Sequence, residues 1–432
     1  MENREKIINV LGEHNLHWKG KLPSIKFRED TPSLIANKIL IITGIRRSGK
    51  SYLVYNLIKS LLKKGINKFN ILYVNFFDPI LKPFSNPENI EDLISTFAII
   101  QEKRGNRKQE IFIFLDEIQE VKEWWKWIIR RVEIKKDKNI ILTGSNSSLL
   151  KEEFSTYLTG RNIKFVNYPL SFKEFLNWKE FKTDLISINI DKEKLLRLFD
   201  EYFNEGSFPE IVLYRQKEIL KQLYEDILWK DIIRRNKIRE SAKMSELSYY
   251  LISNTTSEFS CNKLGKILNL HEATVKEYIK YIENAYLVQT LDKFSYKVKE
   301  QISYNKKIYC VDNGLVNAVS FKISQDKGKL LENLVFGELK RRNKEIYYFK
   351  DTVSECDFVI REGGKIAKSI QVAYEIDIEN EKRELRGLLK AMDKFDLKEG
   401  FILTYNQDEK REIKGKKINI LPLWKWLLSE KL

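Results

Sequence analysis

Cysteine and histidine are scarce, at three of each among 432 residues. Cys261, Cys310 and Cys356 lie far apart and form no metal-type pair. That excludes a zinc framework and a disulfide-stapled secreted scaffold. No apolar run approaches the roughly 18 residues that a membrane-spanning helix needs, so no membrane association is expected. The opening stretch MENREKIINVLGEHN lacks the apolar core of a secretion signal, and the cytoplasm is the expected compartment. No N-K-x-D motif occurs, which excludes the common way of reading a guanine base. What the chain has in excess is positive charge, +16 formally, with a pI near 9.3. That balance favours a polyanionic partner such as DNA. The alternative is a Lys- and Ile-rich genome that makes an average surface basic. The length calls for two to four domains.

Residues 38–58, KILIITGIRRSGKSYLVYNLI, read as strand, tight loop and helix. The loop fits G-x-x-x-x-G-K-[ST]. Its glycines let backbone N–H groups turn inward, and with the N-terminus of the next helix they make an anion site. The expected nucleotide-binding set is Gly44, Arg46, Arg47, Ser48, Gly49, Lys50, Ser51 and Tyr52. Lys50 reaches the outer phosphates and Ser51 holds Mg²⁺.

Alternating strand and helix patterns across residues 31–180 predict a parallel sheet with crossover helices. ILYVNFFD (71–78) is the second strand. IFIFLDE (111–117) delivers Asp116 and Glu117 at a strand's carboxyl end, where open α/β sheets bind ligands. Asp116 is assigned to the Mg²⁺ shell and Glu117 to orienting and deprotonating the attacking water. The helix at 123–133 places Trp124, Trp127, Ile128 and Val132 at core spacing. NIILTGSN (139–146) is a further buried strand, and Ser145 or Asn146 beyond it is the expected γ-phosphate sensor. Arg161 enters another strand. It is read either as reaching a neighbouring subunit's γ-phosphate or as a partner in a local salt bridge. Trp18 and the basic stretch Lys19–Arg28 are expected near an adenine pocket.

GIRRSGKS, IFIFLDEIQ, ILTGSNSSLL, YLTGR, YPLSFKEFL (168–176) and GSFPEI (206–211) follow one another in this order. Together they resemble the AAA-type ATPases of archaea and bacteria that carry a C-terminal domain long labelled as of unknown function. The resemblance covers nearly the whole chain. It implies that Arg161 is an arginine finger and that the protein forms a homo-oligomeric ring, a hexamer.

Residues 181–245 are strongly helical and are expected as a lid. Residues 246–320 carry a helix-turn-helix pattern, with Val275, Ile279 and Ile282 inward on the second helix. Two strands then make a wing, with Lys293, Lys297, Lys299, Lys306 and Lys307 offered to phosphates. Glu272 and Glu277 on the recognition helix oppose a strong DNA reading. Residues 321–432 resemble the restriction-endonuclease-like fold. Glu332 matches its helix acid, Asp357 its strand acid and Gln371 the first position of its last motif. The lysine position of that motif is Ala373, and neither Lys365 nor Lys368 is obviously aimed to substitute. An inactive nuclease-like remnant is expected, in which Glu332 and Asp357 retain the residues for a metal.

The expected fold class is therefore α/β. It comprises a P-loop AAA-type ATPase core (1–180), a helical lid (181–245), a winged helix (246–320) and a restriction-endonuclease-like domain (321–432). The expected function is Mg²⁺-dependent ATP hydrolysis coupled to DNA remodelling or translocation. The alternatives are a nucleotide-dependent switch acting on a protein partner and an ATP-dependent endonuclease.

Overall fold

The computed structural model describes residues 2–35, 38–134, 139–147, 160–320 and 326–429. Two compact units divide the chain, Met1–Asn167 and Tyr168–Leu432.

The first unit is built on a five-stranded sheet. Its strands are β1 (Ile39–Thr43), β2 (Ile71–Asn75), β3 (Phe112–Asp116), β4 (Asn139–Gly144) and β5 (Asn162–Val166), in the order β2-β3-β4-β1-β5. Every pairing is parallel. Helices cover both faces, so the strands read as continuous apolar runs rather than as alternating ones. Ile39, Ile41, Leu115 and Leu142 belong to one core cluster, and Leu40, Ile42, Phe114 and Ile141 to the cluster on the other face. Trp124, Trp127 and Ile128 are buried in the first of these, as their spacing predicts. β4 lies between β1 and β3, with Thr43 opposite Gly144 and Leu115 opposite Leu142. The loop after β1 and the acids after β3 are thereby brought to one end of the sheet.

β2 is an edge strand, and residues 14–18 cover its open side. Asn15 bonds both backbone groups of Tyr73, donating through Nδ2 to the carbonyl at 3.0 Å and accepting the N–H through Oδ1 at 2.7 Å. His17 Nε2 and Trp18 Nε1 each lie 3.0 Å from the Ile71 carbonyl, and His14 Nδ1 accepts the Asn75 N–H. These side chains satisfy polar groups that an edge strand otherwise presents for pairing. Trp18 therefore stands at the start of β2, stacked near Phe97, and is a core residue at the end of the sheet opposite the phosphate loop. The expectation that it lies beside an adenine pocket is corrected accordingly. Arg28, from the same basic stretch, does reach the loop.

The second unit opens with helices, among them Lys192–Glu205 and Ser241–Ser253. Gly206 and Ser207 of the GSFPEI segment pack on Asp312. Ser207 N and Oγ both donate to Asp312 Oδ2 at 2.8 Å, and a Cβ on Gly206 would stand 2.1 Å from Asp312 Oδ1. Helices Cys261–Leu268 and Glu272–Asn284 follow, joined by a turn with Asn269 left-handed at φ 53°. His271 sits at the N-cap position, but its side chain makes no capping bond. A three-stranded antiparallel sheet accompanies them, β6 (Glu258–Phe259), β7 (Val288–Leu291) and β8 (Lys306–Cys310), with β8 central.

The last part is a six-stranded mixed sheet in the order β13-β14-β12-β11-β10-β9. Its strands are β9 (Glu345–Lys350), β10 (Glu355–Glu362), β11 (Lys365–Val372), β12 (Glu399–Thr404), β13 (Glu409–Ile413) and β14 (Lys416–Pro422). Helices Lys327–Arg341 and Glu381–Lys394 pack against it. β10 and β11 form a hairpin that turns through Gly363 and Gly364 at φ 58° and 85°.

Candidate nucleotide-binding site

The phosphate loop leaves β1 at Gly44, whose φ of 144° suits glycine alone. A Cβ there would stand 2.2 Å from the Asn167 carbonyl oxygen. Asn167 also donates its backbone N–H to Thr43 O at 2.7 Å and its side-chain amide to Ser48 O at 2.9 Å and Ser48 Oγ at 3.1 Å. Arg28 is buried and completes this clasp, with NH1 on Ser48 O at 3.2 Å and NH2 on Asn167 Oδ1 at 3.1 Å. Arg47 and Gly49 are both left-handed, at φ 62° and 93°. Gly49 caps the helix Lys50–Lys63, so its first N–H groups face the concave side of the loop. Lys50 is buried. Its Nζ donates to the carbonyls of Gly44 and Ile45, both at 3.1 Å, and lies 4.0 Å from Glu117 Oε1. Arg46 lies over the Phe77 ring at 5.5 Å, and Tyr52 is exposed on the outer side of the helix.

Asp116 ends β3 and is fully buried. Three hydroxyls converge on it. Tyr73 donates to Oδ2 at 2.7 Å, Thr143 donates to Oδ1, and Ser51 bonds the same carboxylate. Burial is the largest influence on its acidity, and the charge of Glu117 adds to it. The carboxyl is pushed above its ordinary range despite the three donors. The Tyr73 hydroxyl is raised well above its usual value, first by burial and then by the Asp116 charge. A buried carboxylate beside a serine hydroxyl at a phosphate loop is a hard-oxygen donor set that suits Mg²⁺.

Glu117 follows with φ 53°, a conformation in which a non-glycine residue is strained. Its N–H donates to Thr143 Oγ1 at 3.0 Å, so one hydroxyl bridges the two acids. Its carboxylate accepts from Gln119 Nε2. Ser145 and Asn146 are buried just past the Thr43–Gly144 pairing, on the same edge as the loop. Arg161 is exposed at the opposite end of β5, beside the start of β1. Its NH1 is 3.7 Å from Glu133 Oε1. Within one chain it points away from the loop, and the local salt bridge is present. Residues 148–159, which hold most of the SSLL and YLTGR segments, lie outside the described residues.

The sequence assigns no role to Tyr73, Asn167 or Gln119, whereas Arg28 belongs to the basic stretch expected near the nucleotide. The available signals were a tyrosine inside an aliphatic strand and a basic residue beside the loop in space but not in sequence.

The residues expected of a nuclease-like remnant also come together, in the second unit. Glu332, Asp357 and Gln371 line one cavity of about 890 Å³. Gln371 Nε2 donates to Glu384 Oε2 at 2.7 Å. Lys365 and Lys368 are not among the lining residues. Three of the lysines expected on a wing are engaged or buried. Lys297 pairs with Glu300 at 3.1 Å, Lys306 with Asp292 at 2.9 Å, and Lys307 is buried. Lys307 is therefore withdrawn from the phosphate-facing set in which the sequence placed it, because β8 turns it inward.

Comparison with known proteins agrees with the geometry of the first unit. Residues 36–176 match an AAA domain, residues 196–327 a domain of unknown function (DUF8612), and residues 327–426 a second domain of unknown function (DUF4143). The uncharacterized protein MJ1544 of Methanocaldococcus jannaschii is 37% identical over 418 residues, covering 92% of this chain and 89% of that protein. An uncharacterized protein of Haemophilus influenzae is 31% identical over 401 residues, covering 90% and 94%. Among solved structures, AMPPCP-bound DnaA from Aquifex aeolicus matches 56% of this chain and 81% of its own, at 17% identity and a TM-score of 0.23. PCH-2 from C. elegans matches 64% and 68%, at 14% identity and a TM-score of 0.25. Among the described residues no helix is long and apolar enough to cross a membrane. The chain belongs to the family of these archaeal and bacterial proteins, and it carries an AAA-family P-loop ATPase domain followed by two domains of unknown function.

Proposed function

We propose that the chain hydrolyses ATP with Mg²⁺ as a ring-forming AAA-type ATPase, a hexamer, and couples turnover to remodelling of, or translocation on, DNA. The observation that carries the hydrolysis is the Thr143 hydroxyl. It joins Asp116 to the backbone of Glu117 while Lys50 Nζ lies 4.0 Å from the Glu117 carboxylate. Loop amides and Lys50 bind the phosphates. Ser51 and Asp116 hold Mg²⁺, which when bound neutralises charge on the phosphate oxygens. Glu117 orients water and takes its proton, and Ser145 or Asn146 senses the terminal phosphate. Arg161 points away from its own chain's loop, which supports a role on a neighbouring subunit's phosphate. There an arginine finger is worth about 10³–10⁵ in rate.

The DNA reading rests on the net charge of +16 and on the helix pair at 261–284 followed by a small antiparallel sheet. Surface ion pairs such as Lys297–Glu300 are weak enough to yield to phosphates. A nucleotide-dependent switch acting on a protein partner is the second reading. It is favoured by the recognition helix, on which Lys276 is tied to Glu272 at 2.6 Å. Steady-state ATPase rates with and without single-stranded, duplex and branched DNA, across a salt series, separate the two. Stimulation by one DNA form that falls steeply with salt supports the DNA motor. A flat response at low salt supports the switch.

A further inference from the structure

The C-terminal cavity holds more acid than its sequence motif accounts for, and its cation comes from another part of the unit. Lys307 lies on β8, the central strand of the three-stranded sheet, and is only 3% exposed. Its Nζ lies 3.0 Å from Glu332 Oε1, 2.6 Å from Glu355 Oε1 and 3.3 Å from Asp357 Oδ1. An ammonium has three N–H donors, and each has a carboxylate here.

Every carboxylate is also fixed by a second donor. Tyr309, two residues along β8, donates to Glu332 Oε1 at 2.7 Å. Lys350 lies 3.1 Å from Glu355 Oε2, and the Val372 N–H donates to Asp357 Oδ2 at 3.0 Å. The cluster is thus rigid around its centre, and a buried ammonium there is paired on all sides. Lys307 stands in register with Glu258 on one flank and Leu291 on the other, so the lysine is carried by a strand paired on both sides.

A divalent cation held by these oxygens would need bonds of about 2.0–2.6 Å to them. The ammonium already sits among them, so the two cannot share the centre. Consistently, the described residues contain no group of three or more His, Cys, Asp or Glu side chains placed to hold a metal. The residues do not fit a resident metal while Lys307 is in place. Yet the surroundings keep the character of a cation site. Gln371 lines the cavity, is 6% exposed, and its Oε1 has no donor. A buried acceptor without a partner is costly unless something completes it.

We propose that Lys307 is a tethered counter-cation occupying the cation position among Glu332, Glu355 and Asp357, and that it closes a latent divalent-metal site. The cluster takes a hard divalent ion such as Mn²⁺ or Mg²⁺ only when the lysine is withdrawn or removed. Glu332, Asp357 and the free Gln371 oxygen then supply ligands.

The test uses the full chain without nucleotide and titrates Mn²⁺, following free Mn²⁺ by electron paramagnetic resonance. Lys307→Gln is expected to bind one more Mn²⁺ per chain than the natural protein, and Lys307→Gln/Asp357→Asn to lose it. Removing the lysine takes the paired ammonium from Glu332 and Asp357 and leaves Glu355 with Lys350 alone. The melting temperature of Lys307→Gln should therefore fall and be restored by Mn²⁺, whereas that of the natural chain should not respond. A folded Lys307→Gln protein that gains no site overturns the proposal. So does a natural chain that binds a Mn²⁺ abolished by Asp357→Asn. If Lys307→Gln folds under neither condition, that natural-chain comparison decides. Equal Mn²⁺ stoichiometry in the natural and Asp357→Asn proteins supports the lysine as the cation that fills the position among Glu332, Glu355 and Asp357.

Discussion

The Tyr73 hydroxyl donates to Asp116 Oδ2 at 2.7 Å, across the boundary between neighbouring parallel strands. Asp116 is fully buried and has no access to water to replace that donor. Tyr73→Phe keeps the ring in its core and removes one hydrogen bond from a buried carboxylate. The expected stability loss is about 1–3 kcal/mol. Hydrolysis should fall roughly tenfold, the equivalent of about 1.4 kcal/mol in the barrier. Nucleotide binding measured with and without Mg²⁺ checks the assignment. The loss should appear in the Mg²⁺-dependent part alone.

Gly44→Ala places a methyl group 2.2 Å from the Asn167 carbonyl oxygen, at a φ of 144° that alanine rarely adopts. Backbone cannot yield there, because the Asn167 N–H is bonded to Thr43 O and its side chain to Ser48. The expected cost is about 2–4 kcal/mol, with the loop's anion site lost. Thermal unfolding and ATP binding read both effects. Gly65→Ala, whose Cβ would meet nothing within 4 Å, is the control for glycine strain without a clash.

The loop, the strands beneath it and the acid pair were legible because each is a local pattern: an apolar run, a glycine spacing, two acids after a strand. Tyr73 was not, because its role exists only once β2 lies beside β3. Asn167 and Arg28 reach Ser48 from 119 and 20 residues away. Lys307 was misread for the same reason. In sequence it is one of several wing lysines, whereas in space it meets acids 25 and 50 residues further on. Trp18 was misplaced because a buried indole that donates to a strand carbonyl has the same local sequence as one that stacks on a base.

His17 is buried against the Ile71 carbonyl, and burial lowers its pKa from 6.5 to about 4. The folded protein holds it neutral, whereas the unfolded chain takes up a proton below about pH 6.5. Stability from this group is complete above that pH and is lost as the pH falls from 6.5 towards 4. The loss amounts to about 3 kcal/mol. Chemical denaturation of the natural chain at pH 7 and pH 5 should show the decline, and His17→Gln should show a smaller one over the same interval. An equal decline in both proteins would assign the acid sensitivity elsewhere.

The central claim is that Glu117 directs water at a nucleotide held by Lys50, Ser51 and Asp116. Its most direct test is ATP binding and single-turnover hydrolysis, measured side by side for the natural chain, Lys50→Ala and Glu117→Gln. The account predicts that Lys50→Ala does not bind ATP. It predicts that Glu117→Gln binds ATP as the natural chain does and hydrolyses it at least about 100-fold more slowly, the scale of a lost general base. Normal turnover in Glu117→Gln would contradict it.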